Sequence, residues 1–156
     1  MSKPTYENVL IKAVGQDNYW FSSSEGNSAG DFYWLCRGNN TNCRFDIFED
    51  NDDVVRIRRH WGGAWLDWNN THKHLAFYPA SGNFKIIWNE DKTSFKLSMG
   101  GYKVYNSSQP NGNDCWYVKV GSDYYTDFEI VYKKISRYYL NKRLCCDLVT
   151  VYFLTL

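Results

Sequence analysis

The chain lacks a charge imbalance. Its 156 residues carry a formal net charge of +1, so no global field draws it to nucleic acid or to an anionic membrane. It also lacks a long apolar run: no stretch approaches the roughly 18 consecutive apolar residues of a membrane span. The opening residues, Met1-Ser2-Lys3-Pro4-Thr5-Tyr6-Glu7-Asn8, have no apolar segment after their single lysine, unlike a secretory signal. Five cysteines, an odd number, do not complete a disulfide framework, which agrees with a reducing compartment. A cytoplasmic location is therefore the expectation. Cys36 and Cys43 could be bridged across neighbouring strands, against the plainer reading of two packed thiols. The acceptor patterns Asn39-Asn40-Thr41, Asn69-Asn70-Thr71 and Asn106-Ser107-Ser108 then read as turn chemistry.

Signatures of catalysis are scarce too. There is no G-x-S-x-G elbow, no H-E-x-x-H helix, no C-x-x-C pair, no phosphate loop and no G-x-G-x-x-G. Neither an enzyme nor a cofactor is expected. His72 and His74 have a spacing that can chelate a metal, but no third ligand is close in sequence, so a solvated loop is the expectation. Asp50-Asn51-Asp52-Asp53 begins like a calcium loop, yet Val54 and Val55 follow where that loop needs an oxygen ligand and a glycine. Arg56, Arg58 and Arg59 read as a solvated outer face, with anion binding the sharper alternative.

What is present is a pattern. Three segments carry apolar pairs spaced i, i+2, which places both side chains on one face of a strand. The first pairs are Val9/Ile11, Val55/Ile57 and Phe95/Leu97. Tyr19/Phe21, Ala64/Leu66 and Tyr102/Val104 come second, and Tyr33/Leu35, Leu75/Phe77 and Trp116/Val118 third. The fourth pairs are Phe45/Ile47, Phe84/Ile86 and Phe128/Ile130. Loops rich in Gly, Asn, Ser and Asp, 22–31 and 106–114, lengthen the first and third segments.

Twelve short strands in three groups of four predict an all-β fold. Three propeller blades fall below the usual minimum of about four. A β-trefoil, with a six-stranded barrel and a hairpin cap, removes most free edges. By size the chain is one domain: residues 1–133 form the trefoil, and 134–156 are left as an atypical C-terminal tail, either a packed strand or helix or disordered.

Aromatic residues make up 19% of the chain, with seven Trp and thirteen Tyr, more than twelve short strands can hide. If Leu66 faces inward, Trp65 faces outward, and Trp20 is its counterpart in the first segment. Trp68 stands beside Asp67, Asn69 and Asn70. Flat rings next to Asp and Asn suit sugars, whose C–H faces stack while their hydroxyls need paired donors and acceptors. The candidate carbohydrate site is therefore Trp65, Asp67, Trp68, Asn69 and Asn70, with Trp20 as a second stacking position. The plainer reading is tryptophan covering the barrel bottom or filling the cap. Single-stranded nucleic acid would use aromatics with basic residues, and the near-neutral charge disfavours it.

The segments Asn8-Val9-Leu10-Ile11-Lys12-Ala13 and Val54-Val55-Arg56-Ile57-Arg58, each followed by a turn and then Asn18-Tyr19-Trp20 or Gly63-Ala64-Trp65-Leu66, resemble fascin-like and amaranthin-type agglutinin repeats. Cys43-Arg44-Phe45-Asp46-Ile47 and Asn83-Phe84-Lys85-Ile86 are similar to the Phe-x-Val/Ile endings of those repeats. The resemblance spans about residues 8 to 132. It implies a lectin-like, non-enzymatic β-trefoil that binds galactose-type or N-acetylgalactosamine-type glycans as a homodimer. The alternative it implies is a protein-interaction trefoil such as an actin-binding fascin-like module. Gly101-Tyr102-Lys103-Val104 in the third segment departs from the pattern, and the Gln-x-Trp repeats of ricin-type lectins are missing.

Overall fold

Alternating apolar pairs become strands throughout. The computed structural model describes residues 2–26, 33–51, 53–112 and 115–132. The expected tail, 134–156, lies outside the described residues, as does part of the loop expected at 22–31. The described residues contain no helix, hence none long and apolar enough to cross a membrane. They form β1 (Tyr6–Ala13), β2 (Tyr19–Gly26), β3 (Tyr33–Gly38), β4 (Phe45–Asn51), β5 (Val54–Arg59), β6 (Trp65–Asn69), β7 (His74–Tyr78), β8 (Phe84–Trp88), β9 (Phe95–Met99), β10 (Tyr102–Pro110), β11 (Cys115–Gly121) and β12 (Phe128–Val131).

Every pairing is antiparallel, and the sheet closes on itself. From β1 the ladder runs through β4, β5, β8, β9 and β12 and returns to β1. A closed ring leaves no strand edge open for pairing with another chain. The other six strands form hairpins, β2–β3, β6–β7 and β10–β11, which continue from β1, β5 and β9. The hairpins are joined by one residue pair between β3 and β7, one between β7 and β11, and three between β11 and β3.

Inside the ring lies one apolar cluster. Val9, Ile11, Val55, Ile57, Phe95, Leu97, Phe45, Ile47, Phe84, Ile86 and Phe128 are all buried there, as their i, i+2 spacing requires. Each such side chain contributes about 1.5–3 kcal/mol by leaving water. A smaller cluster, Trp34, Cys36 and Ala76, forms where the hairpins meet, with Phe21, Tyr78 and Tyr117 packed against it.

The expected faces are reversed in β2. Tyr19 and Phe21 were expected inside and Trp20 outside, but Trp20 is fully buried and the other two are only partly so. Lys12 pairs with Tyr19 across β1 and β2, which sets both on the outer face, with Lys12 Nζ 5.9 Å from the ring centroid. A one-residue shift of register moves every side chain to the other face. Trp20 joins the cluster that holds Ala13, its smallest member, and meets Phe128 and Phe45 edge-on at 4.8 and 6.1 Å. Tyr33 and Tyr102, also expected inside, are exposed.

No disulfide joins Cys36 and Cys43. Cys36 accepts a hydrogen bond from Asn111 Nδ2 at 3.0 Å, while Cys43 packs against the main core. A buried carboxylate ties the barrel together near one end. Asp46 of β4 accepts from the backbone N–H of Asn8 at 3.0 Å, from Arg58 Nη2 at 2.9 Å, and lies 2.7 Å from His60 Nδ1. That network fixes the start of the connection between β5 and β6, residues 60–64.

Candidate functional site

The connection at 60–64 carries the most developed recess described on the protein. Val55 and Ile57 of β5 point into the core, and Arg59 continues their parity. The same step beyond Val9/Ile11 is Ala13, and beyond Phe95/Leu97 it is Met99, both buried apolar residues. An arginine cannot end there without acceptors. Its Nε donates to the Trp61 carbonyl at 2.9 Å and its Nη1 to Ser22 Oγ at 3.3 Å, while the guanidinium carbon stands 5.9 Å from the Phe77 ring centroid.

The loop itself is held on two sides. The Arg59 N–H donates to the Ala64 carbonyl and the His60 N–H to the Arg44 carbonyl, each at 2.8 Å. Gly62 and Gly63 turn the chain with φ of +85° and +69°. Trp61 is thereby pushed outward and is 66% exposed.

Around Arg59 opens a cleft of about 400 Å³, lined by Phe21, Ser22, Asn40, Asn42, Cys43, Arg44, Trp61 and Gly62. Two further recesses share Arg59, one against Tyr33, Phe77 and Tyr78 and one against Ser22, Ser23 and Tyr33. Asn40 Oδ1 accepts from the Asn42 N–H at 2.9 Å, which shapes the wall opposite Trp61. Arg44 Nη1 is buried without a hydrogen-bond partner among the described residues. Burial raises the pKa of the Cys43 thiol, against the smaller opposing pulls of the Ser22 backbone and Arg59. A thiol so held is a poor nucleophile. Aromatic faces, amides, a hydroxyl and two guanidiniums equip the cleft to stack on and hydrogen-bond a ligand.

The residues read from the sequence lie elsewhere. Trp20 is in the core, so it offers no stacking face: this corrects its expected exposure. Trp65 lies on the outer face of β6, against Phe48 at 5.3 Å, with the guanidinium carbons of Arg56 and Arg58 at 4.9 and 5.5 Å from its ring centroid. Trp68 is on the opposite face with Leu66. It packs against the core, tilts on Tyr102 at 5.3 Å, and carries Lys73 Nζ 4.6 Å from its ring centroid.

Asp67 Oδ1 accepts from the Trp68 N–H at 2.7 Å and sits where a side chain on Gly82 would be. Asn69 accepts from the His72 N–H at 3.0 Å and donates to Tyr78 Oη at 3.3 Å, and Asn70 accepts from Lys73 Nζ at 2.7 Å. The structure thus brings Trp68 and Asn70 together around Lys73, leaves Trp65 on the other face, and places none of the six on the Arg59 cleft.

Sequence reasoning missed Trp61, Asn40, Asn42 and Arg44, and read Arg59 with Arg56 and Arg58 as a solvated arginine face, with anion binding the alternative. The available signal was a tryptophan beside two glycines, Trp61-Gly62-Gly63. His74 also differs from expectation. It is buried, stacked on Tyr117 at 4.0 Å and edge-on to Trp34 at 5.1 Å. Among the described residues no group of three or more His, Cys, Asp or Glu is placed to hold a metal.

No protein-family model and no curated protein sequence matches the chain. Solved structures do match it in fold. The designed 3-fold symmetric protein ThreeFoil superposes with a TM-score of 0.61 at 13% identity, over 80% of this chain and 98% of its own. A Caenorhabditis elegans protein of unknown function gives 0.65 at 14% identity, over 83% and 95%. The water-soluble chlorophyll protein of Brassica oleracea var. Botrytis with chlorophyll b gives 0.61 at 10%, over 83% and 93%.

At these identities the likeness shows the fold alone: an all-β, closed antiparallel barrel. The resemblance to fascin-like and amaranthin-type agglutinin repeats is corrected by these findings. A designed threefold protein and a worm protein of unknown function share the fold, and no family model supports the repeat motifs. The quoted motifs are short strand and turn patterns, which a closed barrel of this kind needs whatever its ancestry. The galactose-type preference and the fascin-like alternative rested on that resemblance alone.

Proposed function

We propose that this chain is a non-enzymatic carbohydrate-binding protein built as a β-trefoil, with its sugar site in the Arg59 cleft. Support for the trefoil comes from the pairing scheme, in which six strands close a ring and three hairpins meet each other at one end. The repeated order of four strands per segment, and the likeness to a designed 3-fold symmetric protein, favour the same reading.

The observation that carries the binding reading is Trp61. A large aromatic ring, 66% exposed at the edge of a cleft that also presents Asn40, Asn42 and Ser22, is costly to leave in water and suited to a sugar face. The cleft is open and shallow, so it suits one or two sugar rings rather than an enclosed apolar ligand.

A glycan array probed with wild type, Trp61→Ala and Trp65→Ala tests this. The expected result is retention of at least one saccharide by wild type and by Trp65→Ala, with a loss of about tenfold or more in Trp61→Ala, equivalent to about 1.4 kcal/mol. Failure of wild type to retain any saccharide at millimolar concentration overturns the reading.

A further inference from the structure

We infer that the Arg59 side of this cleft is an oxyanion site, so that the saccharide it takes is acidic, carrying a carboxylate or a sulfate group. The inference rests on the carbohydrate-binding reading for the sugar, and on the guanidinium geometry alone for the anion.

Arg59 occupies a position that the other two segments fill with Ala13 and Met99, both buried in the apolar cluster. Filling that position in the barrel therefore does not require a charge, although Arg59 also ties the 60–64 loop to Ser22. A local break in an otherwise consistent pattern is what a functional position looks like.

The guanidinium is anchored and yet unneutralised. Nε and Nη1 are committed to neutral acceptors, the Trp61 carbonyl and Ser22 Oγ. Nη2 lies against Gly62, close enough that a Cβ there would be 2.8 Å away, and among the described residues it has no acceptor. The neighbouring arginines show the contrast. Arg56 is paired with Asp50 at 2.5 Å and Arg58 with Asp46 at 2.9 Å, while no described carboxylate pairs with Arg59 or Arg44.

Arg44 brings a second positive charge to the same cleft, with Nη1 buried and without a partner among the described residues. The Arg59 guanidinium, held in orientation by Trp61 and Ser22, offers a planar donor group suited to a carboxylate or sulfate, and Arg44 adds positive charge to the same lining. Trp61, Asn40 and Asn42 remain for the neutral part of the sugar.

The test uses an array holding neutral glycans beside their uronate, sialylated and sulfated forms, together with an NMR titration of the Trp61 indole N–H with sodium sulfate alone. The expected result is a preference of about tenfold or more for the acidic forms near 50 mM salt. That preference should shrink as salt rises, because counterions screen partly exposed charges. Arg59→Gln should bring acidic glycans down to the neutral level. Because Arg59 also ties the loop, Arg44→Gln is the second variant. It leaves the bonds to Trp61 and Ser22 intact and should lower acidic binding severalfold.

Equal retention of neutral and acidic forms overturns the inference and leaves the carbohydrate reading standing. A sulfate-induced shift with no glycan bound upholds the oxyanion site and overturns the carbohydrate reading. Neither shift nor retention overturns both.

Discussion

The guanidinium of Arg59 rests on the backbone of Gly62, where any Cβ would stand 2.8 Å from Nη2. Gly62→Ala should therefore do two things: strain a residue at φ +85° and push Arg59 off its seat. Gly63, at φ +69°, has nothing within 4 Å of its Cβ position, so Gly63→Ala imposes the strain alone. Both variants should lose about 1–2 kcal/mol in chemical denaturation. Only Gly62→Ala should also weaken ligand retention in the cleft. Equal retention by the two variants would show that the seat is irrelevant to binding.

Asp46 is 1% exposed and joins β1, β4 and the 60–64 connection. Burial acts to raise its pKa, but the Asn8 N–H, Arg58 and His60 together outweigh that and hold it below the usual carboxylate value. A carboxyl depressed in the folded state contributes stability that is fully present above its unfolded pKa of about 3.9. That contribution is lost as pH falls through the lower folded value. Asp46→Asn should cost about 2–3 kcal/mol near neutrality, less than a fully buried pair because Arg58 is partly solvated. It should also flatten the part of the acid-unfolding curve below pH 4. A variant as stable as wild type at pH 7 would remove the network from the account of the fold.

Much of the barrel is legible in the sequence because its pairs, such as Phe45/Ile47 and Phe84/Ile86, each bracket a polar residue, Asp46 and Lys85. β2 is not legible in that way. Tyr19, Trp20 and Phe21 are consecutive aromatics, so alternation has no polar member to mark the outer face, and the face is decided by the Lys12–Tyr19 pairing instead. Trp65 was correctly placed outside, but its cross-strand partner Arg58 was not foreseen, and with it the guanidiniums over the ring. The cleft escaped because it is assembled from two connections and a strand that lie far apart in sequence. Asn40 and Asn42 lie between β3 and β4, Trp61 between β5 and β6, and Phe21 on β2. Their meeting depends on ring closure, which no local window contains.

Trp20 offers a test of packing against hydrogen bonding. Its ring is fully buried and its Nε1–H has no partner among the described residues. Trp20→Ala should cost about 3–5 kcal/mol through lost contacts and the cavity left behind. Trp20→Phe removes an unsatisfied buried donor along with part of the ring. Relief of that desolvation, about 1–3 kcal/mol, should offset the smaller volume and leave stability within about 1 kcal/mol of wild type. Neither variant should alter ligand binding in the Arg59 cleft at temperatures where it stays folded. A Trp20→Phe penalty as large as that of Trp20→Ala would mean that Nε1 has a partner after all.

His74 should govern stability in a separate, milder range of pH. Burial lowers its pKa to about 4, helped by the nearby charges of Lys119 and, less, His72, against a hydrogen bond with Gln109 that opposes the shift. The unfolded chain takes up a proton at His74 near pH 6.5, while the folded protein resists until about pH 4. Stability is then full above about pH 6.5 and falls between there and about pH 4, by on the order of 3 kcal/mol. The groups facing the ring are Tyr117, Trp34, His72, Lys119 and Gln109, and Lys119 Nζ is itself held by Gln109 Oε1 at 3.0 Å. His74→Phe keeps the stack on Tyr117 and removes the titration. Urea midpoints measured from pH 7.5 to 4 should fall for wild type and stay nearly level for His74→Phe, with the two curves parallel above pH 7. If both proteins lose stability equally across that range, the proton is taken up elsewhere, and the junction of β3, β7 and β11 plays no part in the acid response.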